Sequence, residues 1–248
     1  MWRRLERGGR VIGRWGIRRR GMAAVMVVAA VAGLATLPRA GWSQPDAYSA
    51  APIRGSVVDA KTQQPLAGVH VVAQWILNTG MLFHSERIQR LQILETVTDE
   101  KGEYQIPGWG PKPRPPLSRL EEDDPRLTFF KPGYRSRDRS NNDPHDRPLR
   151  TSRWDGKAIP LEPFSGTPED WSTALRSLQN GLAWAHPLPG PLDRTNDYWR
   201  LYPRIVLAVL DQRRLLPERV RYHVDDLTNW SVTEEELRAL VERKGDLQ

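Results

Sequence analysis

Downstream of residue 52, apolar and polar positions alternate with a period of two, which is the pattern of strands that bury one face. Ile53–Ala60 alternates around Ile53, Gly55, Val57 and Asp59, and Val69–Leu77 is rich in β-branched and aromatic residues, so both are predicted strands. The polar stretch between them, Lys61–Gly68, carries Pro65 and Gly68 at turn positions. Gln92–Thr98 is a third predicted strand, and Asp99-Glu-Lys-Gly102 turns it into Glu103–Ile106, making a hairpin. Leu127–Lys131, ended by Pro132–Gly133, and Lys157–Phe164, with Ile159 and Leu161 inward, complete the strands. Asn78–Leu91, Trp109–Asp124 and Asp138–Thr151 are predicted long loops, and residues 44–52 a linker.

After residue 166 the apolar period lengthens to that of a helix. Thr167-Pro168-Glu169-Asp170 is a helix start, with Thr167 as cap, proline in the first turn and acids behind it. Trp171, Leu175, Leu178, Leu182 and Trp184 then recur at helical spacing. A second helical segment is predicted over about 193–215, with Pro203 breaking or kinking it. A third runs from Thr233, whose pairing with Glu236 makes a capping box, to about Arg243.

Three runs share a pattern: Gly55-x-Val57-x-Asp59, Pro65-Leu66-x-Gly68-Val69-x-Val71, and Thr98-Asp99-x-x-Gly102-x-Tyr104-x-Ile106. Together they resemble the carboxypeptidase regulatory-like family over roughly residues 53–135. The resemblance implies a seven-stranded, transthyretin-like (prealbumin-like) β-sandwich, here mainly β with α because a helical region follows it. The implied organisation is a leader (1–43), a linker (44–52), a sandwich with long loop insertions (53–165) and a C-terminal helical region (166–248). The matched residues are turn and core positions, so the resemblance says little about activity. Family members commonly serve as accessory modules of proteases and envelope proteins, which implies a non-catalytic role.

Charge changes the picture chiefly by where it sits. The chain of 248 residues carries +7 formally, but residues 1–43 hold nine arginines against Glu6, so the remainder is close to neutral at −1. Nucleic-acid binding, which rests on clustered Lys and Arg, is therefore not expected. The arginine-rich start, the apolar run Met22–Leu37 and the polar end to Ser43 form the three parts of a signal peptide. The alternative is an inner-membrane anchor, although 16 apolar residues fall short of the roughly 20 needed to span a bilayer. The expected location is periplasmic or extracellular, with membrane contact only through this N-terminal segment. The chain has no cysteine, which excludes disulfides and thiolate chemistry.

Candidate chemistry lies in the loops. Trp109, in a Gly/Pro-rich stretch with Lys112 and Arg114, is a candidate platform for a sugar ring or a peptide, and His84 is a further candidate contact in its insertion. An envelope protein or a glycan is the expected partner, and no cofactor is expected. Residues 121–124 with Asn141, Asn142 and Asp143 offer oxygen ligands of the kind calcium takes, and solvated loops explain them equally well. Two other readings stand beside the binding module: a metal-assisted hydrolase built from His84, His145 and loop carboxylates, and a purely structural envelope protein.

Overall fold

The computed structural model describes residues 46–81, 84–183, 200–226 and 232–245. The leader, Trp184, His186, Trp199, Trp230 and the first part of the second predicted helix lie outside the described residues. Eleven strands are described, rather than seven: β1 (Ala47–Ala50), β2 (Ile53–Asp59), β3 (His70–Met81), β4 (His84–Val97), β5 (Glu103–Ile106), β6 (Trp109–Pro113), β7 (Ser118–Leu120), β8 (Arg126–Phe130), β9 (Arg137–Arg139), β10 (Leu149–Arg150) and β11 (Lys157–Leu161). They form three sheets in the orders β10-β1-β6, β11-β2-β5 and β4-β3-β8-β9, with β7 pairing the outer part of β3. Four helices follow: α1 (Pro168–Ala183), α2 (Pro203–Leu215), α3 (Glu218–Arg221) and α4 (Glu234–Gly245).

The alternation of β3 explains the layering. Val71, Ala73, Trp75 and Leu77 join an apolar cluster with Tyr48, Ile53, Val57, Tyr104, Ile106, Phe129, Ile159 and Leu161, which unites the three sheets. From the opposite face of the same sheet, Val72 joins Ile93, Phe130 and the inward residues of the helices in a second cluster. Every residue from Val71 to Leu77 is therefore buried. A strand covered on both faces reads as a continuous apolar run, whereas one with a wet face alternates. The helices thus cover the sandwich and extend it to a third layer, built around Leu175, Leu178, Leu182, Ile205, Val209 and Leu237.

Local chemistry places each helix. Thr167 and Asp170 cap one another, with the Asp170 amide donating to Thr167 Oγ1 at 3.2 Å and the Thr167 amide to Asp170 Oδ2 at 2.9 Å. Thr233 and Glu236 do the same ahead of α4. Pro203 opens α2 instead of kinking it, at a position where a missing N–H costs no bond. The free amides of Arg204 and Ile205 donate to the Glu95 carboxylate on β4 at 3.1 and 2.6 Å, so the sheet itself caps this helix. Arginines of the helix layer are paired with acids: Arg200 with Glu236, Arg213 with Asp226, Arg214 with Asp211 and Glu234, Arg219 with Glu169, and Arg238 with Glu234.

Four expectations change, one of them Asp138–Thr151, which contains β10 and most of β9 where a loop is expected. The linker over 44–52 contains β1, whose Tyr48 is fully buried and which pairs with both β6 and β10. Four small or polar residues carry too little pattern to announce such a strand. Asn78–Leu91 is no loop, because β3 and β4 continue pairing through it to Met81 and His84. Trp109–Asp124 contains β6 and β7, so much of that excursion is paired backbone.

Of the turn glycines in the matched pattern, Gly102 is required by space as well as conformation. Gly102 has φ +72°, and a Cβ there would sit 2.6 Å from the Val57 carbonyl oxygen. Gly102→Ala is expected to cost about 2 kcal/mol or more in denaturant unfolding, combining left-handed strain with a backbone clash.

Candidate functional site

Two loops at one end of the sandwich are joined residue by residue. The Asn141 amide donates to the Asp123 carbonyl at 2.9 Å and the Asp143 amide to that of Glu122 at 2.8 Å. Beneath this contact lies Arg150, only 2% exposed. Its guanidinium donates to the carbonyls of His145 at 2.6 Å, Asp124 at 2.8 Å and Glu121 at 3.0 Å, so one side chain from β10 holds both loops. Asn141 is buried beside it and gives Nδ2 to the Asp124 and Thr151 carbonyls, both at 2.9 Å, while Oδ1 accepts the Arg153 amide at 2.8 Å. Asp124, also buried, accepts the Ile76 amide at 2.6 Å and ties the loop to β3. Burial drives its carboxyl well above the usual carboxylate range, against the opposing pull of that amide and of Arg150.

The joined loops wall a pocket of about 310 Å³ lined by Glu121, Glu122, Asp123, Asp143, Asp146 and His145, with Asn78, Arg119 and Leu120 completing the wall. Tyr48 anchors its base, donating from its hydroxyl to Asp146 Oδ1 at 2.8 Å and accepting the Leu120 amide at 3.3 Å. Burial and then the Asp146 bond push the Tyr48 hydroxyl up to about 12, so it is a fixed donor. At the rim, His145 Nδ1 lies 3.0 Å from Asp143 Oδ1, and the His145 amide donates to the same oxygen at 3.1 Å. Burial raises Asp143, yet the amide and ring of His145, with Arg147 and Arg150, hold it below its ordinary value. The pocket is thus a strongly negative, half-open depression of fixed shape, and it suits a cationic group.

Of the residues singled out from sequence, the acidic stretch 121–124, Asp143 and His145 come together here. Trp109 does not stand free: its ring meets Trp75 edge-on at 5.3 Å and packs against the sandwich core. Lys112 lies over that ring at 5.7 Å and donates to the Leu91 carbonyl at 3.2 Å and to Gln92, pinning β6 to β4. Arg114 donates to the Ser118 carbonyl at 2.7 Å and shapes the turn into β7. These three residues fix the segment that delivers Arg119 and Leu120 to the pocket. His84 pairs with Met81 at the end of the β3–β4 ribbon, and its side chain lies outside what the structure describes. Among the described residues no group of three or more His, Asp or Glu side chains is arranged to hold a metal ion.

Sequence reading missed Tyr48 and Arg150. Tyr48 sat in a segment taken for linker, and Arg150 resembles any exposed loop arginine until its carbonyl partners, 5 to 29 residues away, are known. The presence of a long polar loop, 138–151, opposite an acidic one was the available signal.

No protein-family model matches the sequence, and no curated protein matches it. Among solved structures, the C-terminal domain of the shaft pilin spaA from Lactobacillus rhamnosus GG aligns with 48% of this chain and 100% of its own, at 12% identity and a TM-score of 0.22. The longer spaA structure aligns over 49% of this chain and 48% of its own, at 12% identity and 0.23. A 9R-lipoxygenase from Cyanothece gives 12% identity and 0.23 over 79% of this chain and 30% of its own. Scores this low do not establish a shared fold, so the meaning of the site rests on its own residues.

Proposed function

We propose that this protein is an exported, non-catalytic binding or assembly module of the cell envelope, using the loops at one end of a sandwich of the carboxypeptidase regulatory-like kind. The observation that carries the reading is the pair of long loops made rigid by the buried Arg150, Asp124 and Asn141 around a pocket of five carboxylates. Surface loops are ordinarily the mobile part of a domain, and fixing them with buried polar groups preorganises a contact surface. The charge of the pocket suits the amino groups of a basic partner segment, because its carboxylates line one depression but are not arranged to hold a metal ion. In this reading Trp109, Lys112 and Arg114 are supports of the surface, and the leader of residues 1–43 delivers the protein to a periplasmic or extracellular location. No helix among the described residues is long and apolar enough to cross a membrane.

A hydrolase reading has one observation in its favour, the contact between His145 and Asp143 inside the pocket. It would need further ligands to converge on that pair.

The test is equilibrium titration of residues 44–248 with a short lysine peptide. Binding, weakened tenfold or more in the Glu122→Gln/Asp143→Asn double variant, is the expected result. No binding of the peptide by the folded protein overturns the cationic-ligand reading.

A further inference from the structure

Among the described residues, five arginines of the helix layer, Arg200, Arg213, Arg214, Arg219 and Arg238, meet carboxylates. On β9 and the loop beside it the situation reverses. Arg135, Arg137, Arg139 and Arg153 make no ion pair within 4 Å among the described residues, and their contacts are of other kinds. Arg137 donates to the Pro160 carbonyl at 3.3 Å and Arg139 to that of Asp138 at 3.2 Å. Arg139 and Arg153 both lie over the Trp154 ring, at 5.0 and 5.3 Å, and Arg135 lies over Phe164 at 5.4 Å.

The strand geometry lines these charges up. Arg137 is in register with Phe129 and Arg139 with Leu127, so both arginines project from the sandwich side of the sheet, past the edge of its core. Asp138, between them, turns to the other face, where Thr128 and Arg126 occupy it. The intervening acid is thereby removed from the row. Residues two apart on a strand are separated by about 6.6 Å, so Arg137 and Arg139 stand as neighbouring cations in a row, with Arg135 just ahead of the strand beside Phe164. A depression of about 210 Å³ opens at the Arg137 end, bounded by Arg135, Ser136, Arg137 and Glu162. Glu162 is the single carboxylate in that wall.

From this geometry we infer that the β9 flank binds a linear anionic polysaccharide laid along the strand, with its carboxylate or sulfate groups taken by Arg137, Arg139 and Arg153 and by Arg135 at the end of the row. Planar guanidinium groups suit oxyanions, and Trp154 and Phe164 hold them in place. A single file of cations fits a narrow polymer. Duplex DNA is less well matched, because the same chain runs from β9 directly into the acidic pocket loop, whose carboxylates repel a broad polyanion. This inference concerns a different face from the proposed cation pocket and stands or falls separately from it.

The test uses the body from Gln44 onward, which contains both apolar clusters entire and lacks the arginine-rich leader. Polygalacturonate and dextran sulfate are immobilised as probes, and binding is followed between 50 and 200 mM salt. Binding to at least one is expected, weakened tenfold or more by Arg137→Gln/Arg139→Gln/Arg153→Gln. Removing three contacts should also flatten the dependence of log affinity on log salt by about two to three units. Arg219→Gln/Arg238→Gln, on the helix layer, should change affinity less than twofold. If the triple variant melts well below the parent, Arg135→Gln/Arg137→Gln serves in its place and is expected to weaken binding at least threefold. No binding, undiminished binding by the flank variants, or tighter binding of DNA of matched charge would each overturn the inference.

Discussion

Arg150→Met is expected to lower unfolding free energy by about 3 to 5 kcal/mol, and to abolish binding at the acidic pocket even where the fold survives. Methionine fills much of the same volume, so the loss is one of polarity. The guanidinium satisfies the carbonyls of Glu121, Asp124 and His145 in a space where the side chain is 2% exposed. Without it the carbonyls of Glu121, Asp124 and His145 each lose a charged donor and keep only a neutral one, from the Asp124 amide, Asn141 Nδ2 and the Arg147 amide, and the Asp124 carboxyl loses the nearest compensating charge. Denaturant unfolding measures the first effect. Amide exchange measures the second, because residues 121–124 and 141–146 should lose protection while β2 and β11 keep theirs. A stability change under 1 kcal/mol would mean that the loops are not held from beneath.

His70 carries the second large effect, and it is a matter of pH. Its ring stacks on Phe130 at 6.4 Å and faces Arg204, Leu207, Ala208, Asp211 and Val241 across the sheet–helix boundary. Burial, reinforced by the nearby charges of Arg204 and Lys131, lowers its pKa to about 4. The unfolded chain takes up this proton near the ordinary histidine value of about 6.5, whereas the folded chain resists it. Stability from this residue is therefore full above pH 6.5 and is lost as pH falls, by about 3 kcal/mol once both states are protonated below pH 4. His70→Phe keeps the ring in its apolar setting without the titration. The parent should lose about 3 kcal/mol relative to this variant between pH 7 and pH 4, and parallel stability profiles would show that His70 is wet.

What could be read from the sequence was local. Gly68 and Gly102 announce turns because their φ values of +68° and +72° are a property of three or four neighbouring residues. The Thr167 and Thr233 caps are equally local, and both helices begin where the residues say. Buried Ile159 and Leu161 follow from alternation within five residues. The strands missed, β1, β6, β7, β9 and β10, have four, five, three, three and two residues, and each is paired with another strand that supplies its hydrogen bonds. The same division holds at the site. The acidic stretch and its opposing loop could be grouped as oxygen donors from sequence, whereas Tyr48 acquires meaning only from Asp146, 98 residues away, and Arg150 only from carbonyls up to 29 residues away. Trp109 shows the limit of composition: surrounded by glycine and proline it resembles an exposed platform, and Trp75 claims one edge of it.

The two-sided burial of β3 bears on where this protein can be divided. Isolated sandwiches are usually portable, because the outer faces of their sheets are wet. Here a boundary drawn at Thr167 would strip the cover from Val72, Ile93 and Phe130, and would leave Gln74 without the Leu182 carbonyl that it donates to across the layer boundary. Glu95 would face solvent without the helix amides it caps. The severed sandwich would present an adhesive apolar wall, prone to self-association. Its unit of inheritance and of expression is therefore the sandwich with its helices, and fusions or truncations should be placed upstream of β1 and downstream of α4.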